Sequence, residues 1–213
     1  MTELQEMAGL LQQGEVNPVK LLTQQLLDQG ISPQTILNEG LIAGMTVVGE
    51  QMRCGEMYLP EVLQSASVMN AAMAILKPHL QSGGVEPVGR VVLGTVKGDM
   101  HDIGKNLVAI MLQGAGFEII DLGINTPAEK FVEAIQTHQP KVVGMSAMLT
   151  TTMLVMKKNI EVMTAAGVRP QVKIIIGGAP ITQRFADEIG ADGFAKDAVA
   201  AVGKVKELLA ISN

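Results

Sequence analysis

The stretch Gly98-Asp99-Met100-His101-Asp102-Ile103-Gly104-Lys105-Asn106 holds the residues best suited to chemistry in this chain. A histidine flanked by two acids and two glycines has the donors to ligate a metal or to move a proton. It follows an apolar run, Arg90-Val91-Val92-Leu93-Gly94-Thr95-Val96, which reads as a short buried parallel strand. It precedes Leu107 to Leu112, whose spacing reads as the first turns of a helix. The histidine therefore falls on the loop at a strand's C-terminal end, the edge at which open α/β sheets bind ligands. A Walker phosphate loop does not fit, because five residues separate Gly98 from Gly104 and Asn106 stands where Ser or Thr is needed. Gly94, Gly98 and Gly104 do not fit the G-x-G-x-x-G dinucleotide fingerprint either. An ordinary polar βα loop with an idle histidine remains as the plain alternative.

Composition narrows the chemistry. The 213 residues are enough for one large or two small domains with a substantial core. A net charge of −5, 2% aromatic residues and no Trp argue against nucleic acid, which wants a basic face and stacking platforms. The single Cys54 excludes an internal disulfide framework and a cysteine zinc site, and fits a reduced compartment. His79, His101 and His138 are far apart, with no H-E-x-x-H, so a metal cage built by the protein is not expected. A metal already chelated by a macrocycle needs only one axial ligand, and one histidine suffices for that. The acidic start Met1-Thr2-Glu3-Leu4-Gln5-Glu6 lacks a signal-peptide core, and no apolar run reads as membrane-spanning. The expectation is a cytoplasmic protein with no membrane partner.

The elements that must position the loop divide into two sets. Residues 1–82 read as a helical domain. Leu4, Met7, Ala8 and Leu11 recur at helical spacing and Gly14 ends the segment. Asn17-Pro18 and Ser32-Pro33 read as N-caps with first-turn prolines opening two more helices. The third carries Leu37, Leu41, Ile42, Met45, Val48 and Met52 on one side; Leu59-Pro60-Glu61 opens a fourth with Val62, Leu63, Ala66, Met69, Met73 and Leu76 inward. That is an antiparallel four-helix bundle. Gln81 to Val88 is polar and breaker-rich and reads as a linker. Residues 89–213 then alternate strand and helix. Strands are expected at Val91–Thr95, Glu118–Asp121, Val142–Met145, Lys173–Ile176 and Asp192–Ala195. Helices are expected around Lys105–Gln113, Pro127–Gln136, Thr151–Ala166, Ile181–Ile189 and Ala198–Leu209. The fold class is α/β, a doubly wound five-stranded parallel sheet in flavodoxin-like (Rossmann-like) order after the bundle.

In that order the loops after strands one, three and four share one crevice. The first carries Asp99 and His101, the third Ser146-Ala147-Met148-Leu149-Thr150-Thr151-Thr152, the fourth Gly177-Gly178-Ala179-Pro180. Glycines there let backbone approach a ligand. A response-regulator receiver shares this fold but needs an aspartate ending strand three, where this chain has Met145-Ser146.

Asp99-x-His101-x-x-Gly104, then Ser146-x-Met148, then Gly177-Gly178 match the D-x-H-x-x-G, S-x-L and GG signatures of cobalamin-binding proteins, in order and at similar spacing. The whole chain resembles the small corrinoid proteins of the methanol, methylamine and glycine betaine methyltransferase systems, and is similar to the cobalamin-binding module of methionine synthase. Met148 departs from the usual leucine, a swap that conserves volume.

The resemblance implies a cobalamin cofactor, with methylcobalamin as the loaded form, and a role as methyl carrier in one-carbon metabolism. It implies that His101 is the lower axial ligand to cobalt, displacing the cofactor's benzimidazole. Asp99 holds the other imidazole nitrogen, and Thr152, with Thr150 close by, continues the relay. Gly98, Met100, Asp102, Ile103, Gly104, Met148 and Leu149 join the binding loops, with Gly104 leaving room for the nucleotide tail. Ser146, Gly177, Gly178 and Ala179 line the tail's tunnel. The helical half caps the upper face, with side chains around Tyr58-Leu59-Pro60. The partners it implies are a substrate-specific methyltransferase, a second methyltransferase acting on a thiol or pterin, and a reductive activase. Not a complete enzyme, the chain is then a subunit of one. Two other readings share the binding domain: a subunit of a carbon-skeleton mutase, which the helical first 80 residues argue against, and a cobalamin-dependent regulator, for which no basic recognition helix is found.

Overall fold

The computed structural model describes residues 2–82 and 87–211. The chain forms two compact units. One comprises the N-terminal helices up to Val88 with Gly114–Gly116, the other Gly89–Gln113 with the residues from Phe117 onward.

The helical unit opens with α1 (Glu3–Gln12), started by a reciprocal cap: Thr2 Oγ1 accepts from the Gln5 N–H and the Gln5 side chain accepts from the Thr2 N–H. Met7 and Leu11, one turn apart, are buried on it. Next comes α2 (Val16–Asp28), which starts before the Asn17-Pro18 pair. Glu15 stands at its cap without a side-chain hydrogen bond, so Asn17 is not the cap. Proline is tolerated anywhere in the first turn, where amides lack intrahelical partners, and so does not fix the first residue.

Ser32 does cap its helix, accepting from the Thr35 N–H at 3.0 Å with Pro33 next in line. This helix has three parts: one turn, α3 (Pro33–Thr35), a π-helical stretch (Ile36–Ile42), then α4 (Ala43–Cys54). The wider π turns shift the phase. Leu37, Leu41, Met45 and Val48 are buried and Ile36 joins them, while Ile42 and Met52 are only half-buried.

The long α5 (Leu59–Ser82) buries Val62, Ala66, Val68, Met69, Ala72 and Leu76. Leu63 is instead 45% exposed and Met73 half-buried, so the inward face runs through Val68 and Ala72 rather than through them. Leu59–Leu80 is long and apolar enough by composition to cross a membrane, contrary to the sequence reading. Ser65, Ser67 and Asn70 interrupt the apolar run without adding charge, which is how a count of consecutive apolar residues missed it. Here α5 packs against α1, α2 and α4 as the core helix of its unit. Of the expected linker, Gln81 and Ser82 are the last residues of α5, and residues 83–86 lie outside the described residues.

The second unit is a parallel sheet of β1 (Arg90–Thr95), β2 (Glu118–Asp121), β3 (Val142–Ser146), β4 (Lys173–Gly177) and β5 (Gly193–Ala195) in the order β2-β1-β3-β4-β5. This is the flavodoxin-like order, with its switch point between β1 and β3. The connecting helices are α6 (Ile103–Gly114), α7 (Ala128–His138), α8 (Thr150–Ala165), α9 (Gln183–Ile189) and, after β5, α10 (Ala198–Leu208). Strand burial explains the order. β1 and β3 are continuous apolar runs buried on both faces, whereas β2 and β5 are short edge strands. Phe131, Ile135, Met156, Met163 and Ile174 are fully buried in the main core, each contributing about 1.5–3 kcal/mol of apolar burial. That packing fixes the strand register, and the register sets the site: Thr95 pairs with Ser146, and Ser146 with Gly177. Three strand ends therefore lie level at the C-terminal edge.

Candidate functional site

The floor of the site is the row of strand ends. Thr95 is buried, and its Oγ1 donates to the His101 carbonyl at 3.0 Å. A hydroxyl has one proton, so in the 2.9 Å contact between Thr95 and Ser146 the serine is the donor. The serine's lone pairs remain free to accept.

Beyond β1 the chain turns through Gly98, at φ +85°, and reaches Asp99, which is fully buried. Four donors converge on its carboxylate. Oδ1 accepts from His101 Nδ1 at 2.8 Å and from the His101 main-chain N–H at 3.1 Å. Oδ2 accepts from Thr152 Oγ1 at 2.6 Å and from the Met148 N–H at 2.7 Å. Burial works to raise the Asp99 pKa, but the bonds from Thr152, Met148 and His101 outweigh it and hold the carboxyl well below the usual range. An ionised carboxylate only accepts, so His101 presents a proton on Nδ1, and in the neutral tautomer with that proton the lone pair falls on Nε2. The imidazole is 56% exposed. The site thus turns one oriented ring nitrogen, Nε2, toward a ligand.

The other candidate residues distribute around that ring. Met100 and Asp102 flank His101 on the β1–α6 loop, and Ile103 and Gly104 begin α6. Met148 follows β3, and Leu149 holds the cap position of α8. Thr150 is exposed at the start of α8, and it is Thr152, two residues along, that reaches Asp99. Met100, Ile103, Met148 and Leu149 are 63, 73, 49 and 44% exposed, an unusual grouping of large apolar side chains on two loops that Asp99 ties together. Gly177 ends β4, with Gly178 and Ala179 after it. Gly178 has φ +129°, and a Cβ there would lie 1.9 Å from the Ala147 carbonyl oxygen, so only glycine fits. A Cβ at Gly104 would meet nothing within 4 Å, which leaves open space beside the histidine loop. Tyr58 and Leu59 belong to the helical unit and are exposed.

Among the described residues no three histidine, cysteine, aspartate or glutamate side chains cluster to hold a metal ion. The donor set is one imidazole amid apolar side chains, which suits a flat, largely apolar group bringing its own chelated metal. The residues present therefore fit a corrinoid.

Sequence reasoning passed over the loop after β2. Its Asn125 accepts from the Gly98 N–H at 2.8 Å and donates its own N–H to the Asp99 carbonyl at 3.0 Å. It also passed over Thr95, Lys105, Asn106 and Asp121. Asp121 carried a usable signal, an acid at the end of a strand neighbouring β1.

Comparison with known proteins agrees with this chemistry. Residues 89–203 match a family model described as a B12 binding domain, and residues 3–77 match a second one so described. Over 190 residues the chain is 42% identical to trimethylamine corrinoid protein 1 of Methanosarcina acetivorans, covering 88% of each chain. Over 181 residues it is 44% identical to the dimethylamine corrinoid protein of Methanosarcina barkeri, covering 84% of this chain and 85% of that one. It is also similar to a crystal structure of the methanol:cobalamin methyltransferase complex of Methanosarcina barkeri, with a TM-score of 0.88 and 28% identity, over 99% of this chain and 81% of that chain.

Proposed function

The chain belongs to the corrinoid proteins, with both B12-binding domains present in order, and on that premise we propose that it holds a corrinoid on His101 and carries a methyl group between two methyltransferases. When bound, the corrinoid supplies a cobalt that takes up a methyl group and gives it away. The protein's own residues orient and tune. His101 offers Nε2 as the axial ligand. Asp99 holds the Nδ1 proton, which fixes the tautomer and raises the basicity of the ligating nitrogen. Thr152 and the Met148 N–H keep Asp99 ionised and in place. Met100, Ile103, Met148 and Leu149 give an apolar seat that excludes water from the ligated face. Ser146, Gly177, Gly178 and Ala179 lie where the cofactor's nucleotide tail would run, and Gly104 leaves space for it.

The observation that carries this reading is the 2.8 Å His101–Asp99 bond at a ring left more than half exposed on the sheet's ligand edge. One partner is a methyltransferase specific for a methylated small molecule, and the second passes the methyl to a thiol or pterin. A reductive activase keeps the cobalt reactive, and the helical unit shields it from oxidants in the cytoplasm.

Electron paramagnetic resonance of the cobalt(II) holoprotein, made with ¹⁵N-labelled histidine, tests the ligation. One protein nitrogen on cobalt is expected, absent in His101→Ala. Coupling to the benzimidazole nitrogen in the wild type would overturn the assignment. Methyl transfer from methylated amines through purified partners tests the carrier role; a chain that never becomes methylated refutes it.

A further inference from the structure

We propose that Lys105 and Asn125 are positioning residues for His101, two ends of a brace that holds the histidine loop from the side of β2. This rests on the reading of His101 as axial ligand.

The brace starts from a buried amine. The Lys105 side chain is 3% exposed, with Nζ 2.6 Å from Asp121 Oδ2 and 2.7 Å from Asn106 Oδ1. Burying an ammonium group is costly, and an apolar residue in its place is often as stable, so a role beyond stability has to be sought in what the pair holds. Two chains of hydrogen bonds leave it. In one, Asn106 Nδ2 donates to Asp102 Oδ2 at 3.1 Å and the Asn106 N–H donates to the Asp102 carbonyl at 2.8 Å. Asp102 is the residue after His101. The cation on Oδ1 and the carboxylate on Nδ2 also fix which way the Asn106 amide points. In the other, Asp121 Oδ1 accepts from the Gly123 N–H at 2.8 Å and sets the loop that carries Asn125. Asn125, at φ +51°, grips Gly98 and Asp99 through its side chain and its N–H. The ring closes on the histidine loop from both ends.

An imidazole this exposed cannot be placed by packing. Its position is set by the Asp99 bond and by its loop, and beside the Thr95 bond to the His101 carbonyl the loop is held by two clamps. Asp99, Thr152 and Met148 form the clamp from β3, and the Lys105–Asp121–Asn125 ring forms the one from β2.

Two variants test the brace. Lys105→Met removes the amine and leaves Asp121, already partly solvated. Asn125→Gly keeps the backbone conformation and the N–H, and removes only the acceptor for Gly98. Cob(II)alamin is titrated into each, alone and in a His101→Ala background, with ¹⁵N-histidine spectra recorded on the holoproteins. Each variant is expected to raise the Kd about tenfold, as loss of a supporting contact to a metal ligand does, and to weaken the nitrogen splitting. In the His101→Ala background neither should change the Kd by more than about twofold, since sites that act independently add and sites that act through one residue do not. An unchanged Kd, or the same loss in both backgrounds, overturns the proposal, because a lysine that only supports the fold acts whether or not His101 is present. A wild type without nitrogen splitting, binding no more tightly than His101→Ala, refutes the axial-ligand reading itself and the brace with it.

Discussion

Thr152→Val removes one hydroxyl from the site and keeps the branched shape. In the wild type Thr152 Oγ1 lies 2.6 Å from Asp99 Oδ2, and Asp99 has no contact with solvent. A hydrogen bond to an ionised group is worth about 1.5–3 kcal/mol net. The Leu149 N–H also loses its acceptor at 3.3 Å, but Leu149 is exposed enough for water to replace it. The loss should therefore fall within that range, a drop of about 1 M in the urea midpoint for a slope near 2 kcal/mol/M. The sign of the pH dependence follows from the direction in which Asp99 is displaced. Its folded pKa is depressed, so its stabilisation is complete above the unfolded value near 3.9 and is lost as pH falls through the folded one. The valine variant should be less stable by a constant amount from about pH 5 to 8. Its Asp99 should titrate closer to the ordinary range yet still below it, because Met148 and His101 still donate. Urea unfolding across that range and ¹³C resonances of the carboxyl below pH 5 measure both effects. An unchanged Asp99 titration, or a deficit that varies between pH 6 and 8, would refute the argument that the hydroxyl acts on the carboxylate.

Three further outcomes are expected. Gly178→Ala should cost about 3 kcal/mol or more, because the new Cβ meets a backbone oxygen and the φ suits only glycine; a thermal shift worth less than about 1 kcal/mol would contradict this. Met148→Leu should change corrinoid affinity by less than about twofold, since the contact to Asp99 comes from the main chain and the side-chain volume is kept; a larger loss on titration with cobalamin would show that the thioether itself matters. Removing the helical unit should leave a folding α/β unit, whose main core is drawn from residues 92–189, with faster oxidation of the reduced cobalt; equal oxidation rates in the two proteins would remove the shielding role.

The fold was legible where one signal sufficed. Val91-Val92-Leu93, Val142-Val143 and Ile174-Ile175-Ile176 are apolar runs too short for helices and bounded by polar residues, and they form β1, β3 and β4. The helical unit was read less accurately because helix phase depends on neighbours. Nothing in Ile36-Leu37-Asn38-Glu39-Gly40-Leu41-Ile42 announces a π-helix, and once it forms, Ile36 turns inward and Ile42 partly out. The same holds in the site. Asp99 and His101 lie two residues apart on one loop, and that spacing alone brings their side chains within reach. Whether Thr150 or Thr152 meets Asp99 depends on where α8 begins, which the sequence does not state. Asn125 was out of reach for a different reason. The switch point gathers the loops after β1, β3 and β4 at one crevice. The loop after β2 runs alongside β1 instead, with the Thr95 N–H donating to the Gly123 carbonyl and Val96 bridging Thr126.

That arrangement resolves a conflict built into a one-histidine site. An axial ligand must be open to a large incoming group, and it must also be held in one tautomer and one place. Burial is the usual way to fix a side chain, but in the ligand role proposed for His101 burial would close it to the cofactor. The chain buries the partner instead. Asp99 is fully enclosed and His101 more than half exposed, with 2.8 Å between them, so the precision of the interior is passed to the surface through one hydrogen bond. The cost is a buried carboxylate, offset by four donors from two segments of chain. Two of those donors, the Thr152 hydroxyl and the Met148 N–H, come from residues that a D-x-H pattern does not contain, which is why the pattern marks the site but does not by itself build it.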